Sequence, residues 1–226
     1  MRTLLPTVLA LFLCIAAAPA HASIIQVSGE VEVLPAPPTA VTPSQSDTTI
    51  FGFLEQQGVV LTEPVSVGVT TSGVWVCCSG FTAGQIPAGD VLNSYLLYDA
   101  PVTHAPGTDD REFTGSITFG NGETIVGVML GYSHISGVGS LFFSPTTVYP
   151  SGCSSCGLET GDVFTLSSNM QTISVDFGTG ASHIDMIQIL TVNEGVPEPA
   201  EFFLVGSGVL ALGFLGRRRR KRQPGI

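Results

Sequence analysis

The sequence predicts an all-β fold, an antiparallel β-sandwich of jelly-roll type, for the central part of a 226-residue chain. Three observations support this. Short runs rich in Val, Ile, Phe and Thr recur there, separated about every ten residues by Gly, Pro, Asn or Asp. Several runs alternate apolar and polar residues, as Phe113–Phe119 does. No central segment keeps helical spacing free of Gly and Pro, so strands must form the core.

The apolar runs place the expected strands along residues 50–192, and Asn121-Gly122 predicts a hairpin turn between two of them. Residues 34–49 are rich in Pro, Ser and Thr, which predicts an extended spacer or an irregular N-terminal arm. The expected strands are Ile50–Leu54, Val59–Leu61, Val65–Val69, Leu92–Tyr98, Phe113–Phe119, Ile125–Leu130, Val163–Leu166, Ile173–Phe177 and Ile184–Val192.

The N-terminus has the three parts of a secretory signal peptide. Arg2 supplies a positive charge, and the apolar run Val8–Ala18 has the length of a signal core. Ala20 and Ala22 flank His21 in the small-x-small pattern of a cleavage site, so cleavage is expected after Ala22. The run is short for a membrane span, which argues against an uncleaved anchor.

The C-terminus carries a second targeting segment. Two prolines prevent a helix from starting within Pro197-Glu198-Pro199, and an apolar stretch then follows up to Gly216. As a helix, residues 200–216 would measure about 25 Å, a short transmembrane span. Basic residues stay on the cytoplasmic side, so the body should face away from the cytoplasm. The basic cluster is Arg217, Arg218, Arg219, Arg220, Lys221 and Arg222.

These segments divide the chain into four parts. We expect a signal peptide at 1–22, a Pro/Ser/Thr-rich arm at 23–49, a β-sandwich domain at 50–195 and a sorting tail at 196–226. Residues 23–196 hold sixteen of the eighteen acidic residues but only one of the eight basic residues, Arg111, which gives a formal charge of −15. Such a body has no basic patch to meet phosphates, so nucleic acid is not an expected partner.

The last 30 residues resemble the PEP-CTERM sorting tail of Gram-negative bacteria: a Pro-Glu-Pro motif, a short apolar helix and a terminal Arg cluster, in that order. This resemblance implies recognition and cleavage by an exosortase, with Pro197, Glu198 and Pro199 as the sorting motif. It also implies a bacterium that makes exopolysaccharide and lives in biofilms or flocs. The body is more loosely similar to a recurrent PEP-CTERM ectodomain type, through Phe51–Gln57, Asn93–Tyr98, Ile117–Phe119, Gly157–Glu159 and Ile184–Ile189. That second resemblance implies a fold and no chemistry.

Four cysteines remain after loss of the signal peptide, which takes Cys14 with it: Cys77, Cys78, Cys153 and Cys156. An even number in an exported chain favours disulfides. Bridging the adjacent pair would need a strained ring, so we favour two bridges between the 77–78 segment and the 153–156 loop. Each would close a loop of about 75 residues and stabilise by about 4 kcal/mol. A four-thiolate zinc site and a redox pair are the alternatives.

No cofactor is expected, although calcium is considered at the densest acidic cluster. Thr108-Asp109-Asp110-Arg111-Glu112, with Asp99 nearby, offers oxygen ligands, but we favour a solvated loop with a local Arg111 ion pair. The three body histidines, His104, His134 and His183, lack metal-ligand spacing. No nucleophile elbow or His-Glu-x-x-His motif occurs, and nothing in the sequence orders the acids into a catalytic pair.

These observations predict an exported surface or matrix protein without enzymatic activity. Its expected partners are the exosortase, the inner membrane through the C-terminal helix before processing, and extracellular polysaccharide. A secreted carbohydrate-binding module is the alternative, and an exposed aromatic strip including Trp75 or Tyr132 would favour it. A secreted hydrolase comes third and would need a convergent acid or His–carboxylate pair in a cleft.

Overall fold

A computed structural model gives the fold of the central part of the chain. All of the described residues belong to one compact unit, Ala22–Glu194. The described residues are 24–42, 45–77, 81, 83–100, 112–120, 122–130, 135, 137–150, 157–158, 160–178 and 184–193.

Within these ranges the chain forms twelve β-strands and a 3₁₀ helix at Val138–Phe142. Six strands precede residue 90: β1 Ile24–Gly29, β2 Val31–Val33, β3 Ser46–Val60, β4 Val65–Val67, β5 Gly73–Val76 and β6 Gly84–Ile86. Six follow it: β7 Val91–Ala100, β8 Phe113–Phe119, β9 Glu123–Leu130, β10 Val163–Leu166, β11 Thr172–Phe177 and β12 Met186–Asn193.

The strands form two five-stranded sheets and one separate pair. Sheet A has the order β1-β8-β11-β10-β5, sheet B has the order β2-β3-β7-β12-β9, and β4 pairs with β6. The strand pairs are antiparallel except β2–β3, which is parallel. The prediction of an all-β chain in antiparallel sheets is therefore confirmed. No helix among the described residues has the length and apolar character needed to cross a membrane, and both flanking helices were predicted at positions outside those residues.

One hydrophobic cluster joins the two sheets. Ile117 and Phe164 of sheet A belong to the same buried cluster as Leu97, Ile187 and Ile189 of sheet B. Side chains that alternate along each strand fill the space between two facing sheets in this way. Fully burying one such side chain stabilises the fold by about 1.5–3 kcal/mol.

A second cluster covers the opposite face of sheet B. Phe53, Leu96 and Met186 of that sheet are buried with Val67 of the β4–β6 pair and with Phe142 of the 3₁₀ helix. Sheet B is therefore buried on both faces, and this explains why β7 and β12 read as nearly continuous apolar runs rather than alternating ones.

Three departures from the sequence prediction concern the N-terminal region and the short strands. β1, β2 and the first residues of β3 fall in the predicted arm, so the sheets begin well before residue 50. The irregular part of the arm is docked rather than free: the Val41 amide donates to the Val148 carbonyl at 2.9 Å, and the Val148 amide donates to Thr39 at 2.9 Å. The strands β5 and β6 were also not predicted, because three or four residues carry too little alternation to be recognised.

The predicted hairpin at Asn121-Gly122 is wrong. A turn does occur, since the Glu123 amide donates to the Gly120 carbonyl at 2.9 Å and Gly122 has a φ of +77°. However, β8 lies in sheet A and β9 in sheet B, so this turn carries the chain from one sheet to the other. Turn chemistry fixes the reversal of direction but not the partner that each strand pairs with.

A similar corner separates β1 from β2, at Gly29. This glycine has a φ of +68°, and a Cβ built on it would lie 2.3 Å from the Thr114 carbonyl oxygen. The Glu30 amide donates to that same oxygen at 2.8 Å. Only glycine fits a corner that combines positive φ with such close backbone approach.

Candidate functional site

The sorting signals predicted from the sequence lie outside the described residues. These are the signal cleavage residues Ala20 and Ala22, the motif Pro197, Glu198 and Pro199, and the basic cluster Arg217, Arg218, Arg219, Arg220, Lys221 and Arg222. Their roles therefore stay predictions.

Of the four cysteines, Cys77 alone falls within the described part of the chain, and it is disulfide-bonded. It is buried at the end of β5, where its amide donates to the Asp162 carbonyl at 2.8 Å. Its Sγ lies 3.2 Å from the Leu158 carbonyl oxygen, and this is a contact rather than a hydrogen bond because a disulfide sulfur has no proton. Cys78, Cys153 and Cys156 lie outside the described residues, so the pairing stays a prediction.

Two of the acids considered for calcium lie in different environments, one buried and one exposed. Asp99 is buried in β7, where its Oδ1 accepts from the Asp185 amide at 3.1 Å, whereas Glu112 is exposed just before β8. Asp109 and Asp110 lie outside the described residues. No group of three or more His, Cys, Asp or Glu side chains that could hold a metal ion occurs among the residues that the structure describes.

Trp75 faces the core rather than solvent. Its half-buried ring packs against the cluster between the sheets and lies 6.4 Å from the Phe81 ring. The indole nitrogen is buried without a hydrogen-bond partner among the described residues. This position does not suit stacking on a sugar, and Tyr132, the other aromatic residue considered for that role, lies outside the described residues.

The structure brings together a buried polar site that the sequence did not reveal, centred on Glu55. The register of β3 against β7 pairs Leu54 with Tyr95 and Gln56 with Ser94, so Glu55 is the extra residue of a β-bulge. A bulge turns two successive side chains toward one face of a sheet. Glu55, two residues after Phe53, lies on the face of sheet B that the second hydrophobic cluster covers, and the bulge brings Gln56 to the same face.

Three donors surround the Glu55 carboxyl. Ser94 Oγ donates to Oε2 at 2.6 Å, Gln188 Nε2 donates to the same oxygen at 2.7 Å, and the Tyr149 hydroxyl donates to Oε1 at 2.8 Å. The Tyr149 oxygen in turn accepts from the Ser144 amide at 2.9 Å, so its proton is directed at the carboxyl. A carboxylate that accepts several donors is favoured in its ionised form.

Burial opposes the donors and prevails. Desolvation raises the pKa of the Glu55 carboxyl from 4.5 to about 7, although the hydrogen bonds from Ser94, Gln188 and Tyr149 lower it. Burial also raises the pKa of Tyr149, helped by the adjacent Glu55 charge. A buried acid that titrates near neutrality is a candidate functional group, although a structural network perturbs a pKa in the same way.

The network fastens residues 137–149, which we call the cap segment, to sheet B. Tyr149 reaches Glu55 from the cap segment, and Gln188 Nε2 also donates to the Gly139 carbonyl at 3.2 Å. Gln56 Nε2 donates to the Phe143 carbonyl, and the Phe143 and Tyr149 rings stack with centroids 3.7 Å apart. Glu55 thus links strands of the sheet to the layer that covers them.

Glu123, at the start of β9, forms a second buried carboxyl site. It accepts from Asn93 Nδ2 at 3.0 Å, from the Tyr95 hydroxyl at 3.1 Å and from Thr191 Oγ1. Tyr95 belongs to the cluster between the sheets, where its ring lies 4.8 Å from the Phe119 ring. Burial and the neighbouring Glu123 charge raise the pKa of Tyr95, so its proton stays on the phenol.

These two glutamates lie on opposite faces of sheet B. Glu55 shares a face with Ser94, whereas Glu123 contacts the residues before and after it, Asn93 and Tyr95. Successive side chains of a strand point to opposite faces. The two acids therefore do not flank a common cleft, and they lack the arrangement that a pair of carboxyls needs for glycoside hydrolysis.

No local pattern could have identified either site. The partners of Glu55 are 39, 94 and 133 residues away in sequence, at Ser94, Tyr149 and Gln188. The one available signal was a carboxylate between two predicted strands, as Glu55 is between Ile50–Leu54 and Val59–Leu61, where burial would require partners. That signal does not identify the partners.

The outer face of sheet A carries rows of hydroxyl groups. Ser28, Ser116, Ser174 and Thr165 stand opposite one another on four adjacent strands, and Ser28 Oγ lies 2.7 Å from Ser116 Oγ. In the next row, Thr118 Oγ1 and Thr172 Oγ1 are 3.0 Å apart. Hydroxyl pairs of this kind stabilise a sheet face that is open to solvent.

Comparison with known proteins identifies no relative: no family model, no curated protein and no solved structure matches the chain.

Proposed function

We propose that this is an exported surface or extracellular-matrix protein without enzymatic activity, sorted by an exosortase in a bacterium that makes exopolysaccharide. The order of the tail carries the proposal: Pro197-Glu198-Pro199, an apolar stretch to Gly216 and six consecutive basic residues. The C-terminal helix holds the precursor in the inner membrane, and cleavage at the motif releases the body to the cell surface or the medium.

The described body agrees with an extracytoplasmic location. Disulfides persist in oxidising compartments, and Cys77 is disulfide-bonded. We propose that the partner cysteines come from the 153–156 loop, since the Leu158 carbonyl, just beyond that loop, lies against the Cys77 sulfur. The charge of −15 favours a dispersed protein in solution.

The hydrogen bonds and positions of the two buried glutamates, Glu55 and Glu123, support the proposed absence of catalysis. Each carboxyl is occupied by at least three donors from the protein itself, and the two lie on opposite faces of sheet B. We further propose a jelly-roll-like β-sandwich between a cleaved signal helix and a C-terminal transmembrane helix.

Fractionation in an exosortase-bearing host tests the sorting function. The wild-type chain should appear at the cell surface or in the medium. A chain with Pro197→Ala, Glu198→Ala and Pro199→Ala should stay in the inner-membrane fraction, because the motif is lost while the apolar stretch and basic cluster remain. Glu201→Ala, which removes an acid just outside the motif, is the matched control and should sort normally. A motif variant that sorts like the wild type would overturn the proposal.

Binding of a neutral polysaccharide is the second candidate, favoured by the uncharged hydroxyl rows on the outer face of sheet A. Calcium at the 108–112 cluster would be a cofactor of that function and could be added to the assay. Co-sedimentation of the protein with the host exopolysaccharide tests it. Loss of co-sedimentation in a Ser116→Lys and Ser174→Lys double variant would support this candidate, and equal pelleting with and without polysaccharide would exclude it.

A further inference from the structure

Strand β5 is the last strand on one side of sheet A, among the strands that the structure describes. Its register pairs Trp75 with Phe164, and the next residue on the same side, Cys77, donates its amide to Asp162. Backbone groups alternate in direction along a strand, so Val74 and Val76 turn their N–H and C=O groups away from β10. Within the described part of the chain these groups have no hydrogen-bond partner.

The side chains along this edge are apolar and exposed. Val74 is 66% exposed and Val76 is 48% exposed, and the residues beside them on β10, Val163 and Thr165, are also uncharged. Natural sheets protect such edges with lysine, proline or inward-pointing charges. The segment Gly73–Val76 contains none of these, and the whole body has no lysine.

We propose that β5 pairs with β5 of a second copy of this chain, so that two sheets A join edge to edge. All neighbours in sheet A are antiparallel, and a two-fold axis perpendicular to the sheet would bring two β5 strands together in the same antiparallel sense. Each copy offers two outward N–H groups, at Val74 and Val76, so up to four backbone hydrogen bonds can cross the axis.

The charge of the body permits contact between two copies at this edge and opposes it over most of the surface. The body carries sixteen acidic residues and one basic residue, so most surfaces of two copies repel one another. The β5 edge is neutral, and therefore two copies can approach there without facing like charges. A four-residue pairing is small compared with stable interfaces, so each contact is weak and depends on concentration.

This self-association rests on the proposed function only for its setting, a cell surface or matrix where copies are crowded and weak contacts add up. The contact itself is a property of the folded body. It is therefore tested by comparing chains with identical tails, so that a failure of sorting and a failure of pairing are distinguished.

The test is sedimentation of the purified full chain over increasing concentration up to the millimolar range, in salt that screens the acidic charge. We expect the wild type to form dimers or larger species. Val76→Lys should shift the sedimentation boundary to smaller species, because each copy would bring a positive charge into the small contact. Val76→Pro should act likewise, since it removes an outward N–H but leaves the bonds to β10 intact.

Val148→Lys is the matched control, because it places the same charge at a 69% exposed valine on the cap segment. It should associate like the wild type. Melting temperatures of all variants within a few degrees of the wild type show that the fold is kept, and Trp75 fluorescence reports on β5 itself. A wild type that stays monomeric throughout, or association equal in folded Val76→Lys and Val76→Pro variants, would overturn the proposal.

Discussion

Replacing Glu55 with glutamine should remove a pH dependence from the stability of this protein. The carboxyl is buried, and its pKa in the folded state is about 7 compared with 4.5 for an exposed glutamate. Between these values the folded chain keeps a proton that the unfolded chain has released. The free energy of unfolding should therefore fall as the pH rises from about 4.5 to about 7, and this contribution should level off above that.

The magnitude follows from the size of the shift. Each unit of pKa corresponds to about 1.4 kcal/mol, so a rise from 4.5 to about 7 amounts to about 3 kcal/mol. A glutamine at position 55 resembles the protonated acid and has no proton to lose. Among the described residues Oε1 of Gln188 has no hydrogen-bond partner, so it can accept from the new amide if the Gln188 side chain rotates, and this limits the cost of the substitution.

Urea unfolding of the wild-type and Glu55→Gln proteins at several pH values between about 5 and 8 measures this effect. Over this range the difference in unfolding free energy between them should change by about 2.5 kcal/mol in favour of the variant. Glu32→Gln, which removes an exposed glutamate from β2, is the matched control for the loss of one acidic side chain.

Parallel curves for the wild type and Glu55→Gln would refute this reasoning. They would mean that the carboxyl keeps an ordinary pKa, because water enters the site or because the three donors balance the effect of burial. A difference that changes in the opposite direction would mean that the folded state favours the ionised carboxylate. This is expected when the three donors outweigh burial and lower the pKa.

Three further predictions concern the corner, the disulfide and the cap segment. Gly29→Ala should lower the free energy of unfolding by about 2 kcal/mol or more, because position 29 has a positive φ and the Thr114 oxygen lies close to it. Urea unfolding measures this change. Gly58→Ala is the control: its φ is similar but no atom lies within 4 Å, so it should lower the free energy of unfolding by less. Cys77→Ser should cost about 2–5 kcal/mol, and reduction of the wild type should reproduce much of the loss. Tyr149→Phe should cost about 1–3 kcal/mol and should speed amide exchange in residues 137–149 but not in sheet A. If the substitution changed the amide exchange rates equally in residues 137–149 and in sheet A, the assigned role of Tyr149 would be contradicted.

The strands that the sequence predicted best are those with one buried face or clear flanking turns. Phe113–Phe119 and Val163–Leu166 have the observed bounds of β8 and β10. The N-terminal strand β1 was missed because five of its six residues are exposed, so that its sequence lacks an apolar face. The pairing of strands was not predictable from turns, as the corner between β8 and β9 demonstrates.

The candidate functional residues fall into two groups: those in contiguous sequence motifs, and those brought together only by the fold. Cleavage sites, apolar spans and basic clusters are contiguous in sequence, so a sorting tail can be predicted without a structure. The Glu55 site combines residues from two further strands and the cap segment, which lie far from Glu55 in the sequence. Such a site depends on sheet topology, which composition and periodicity do not specify.

The intact mass of the protein recovered from cells tests the central proposal most directly. In a host with its exosortase we predict a chain that begins at Ser23, since cleavage follows Ala22, and that has lost the apolar stretch and basic cluster beyond Pro197–Pro199. In the same host without the exosortase, the C-terminal residues should be retained. A tail that is intact in both hosts would contradict the account, and the body would then act while anchored in the inner membrane.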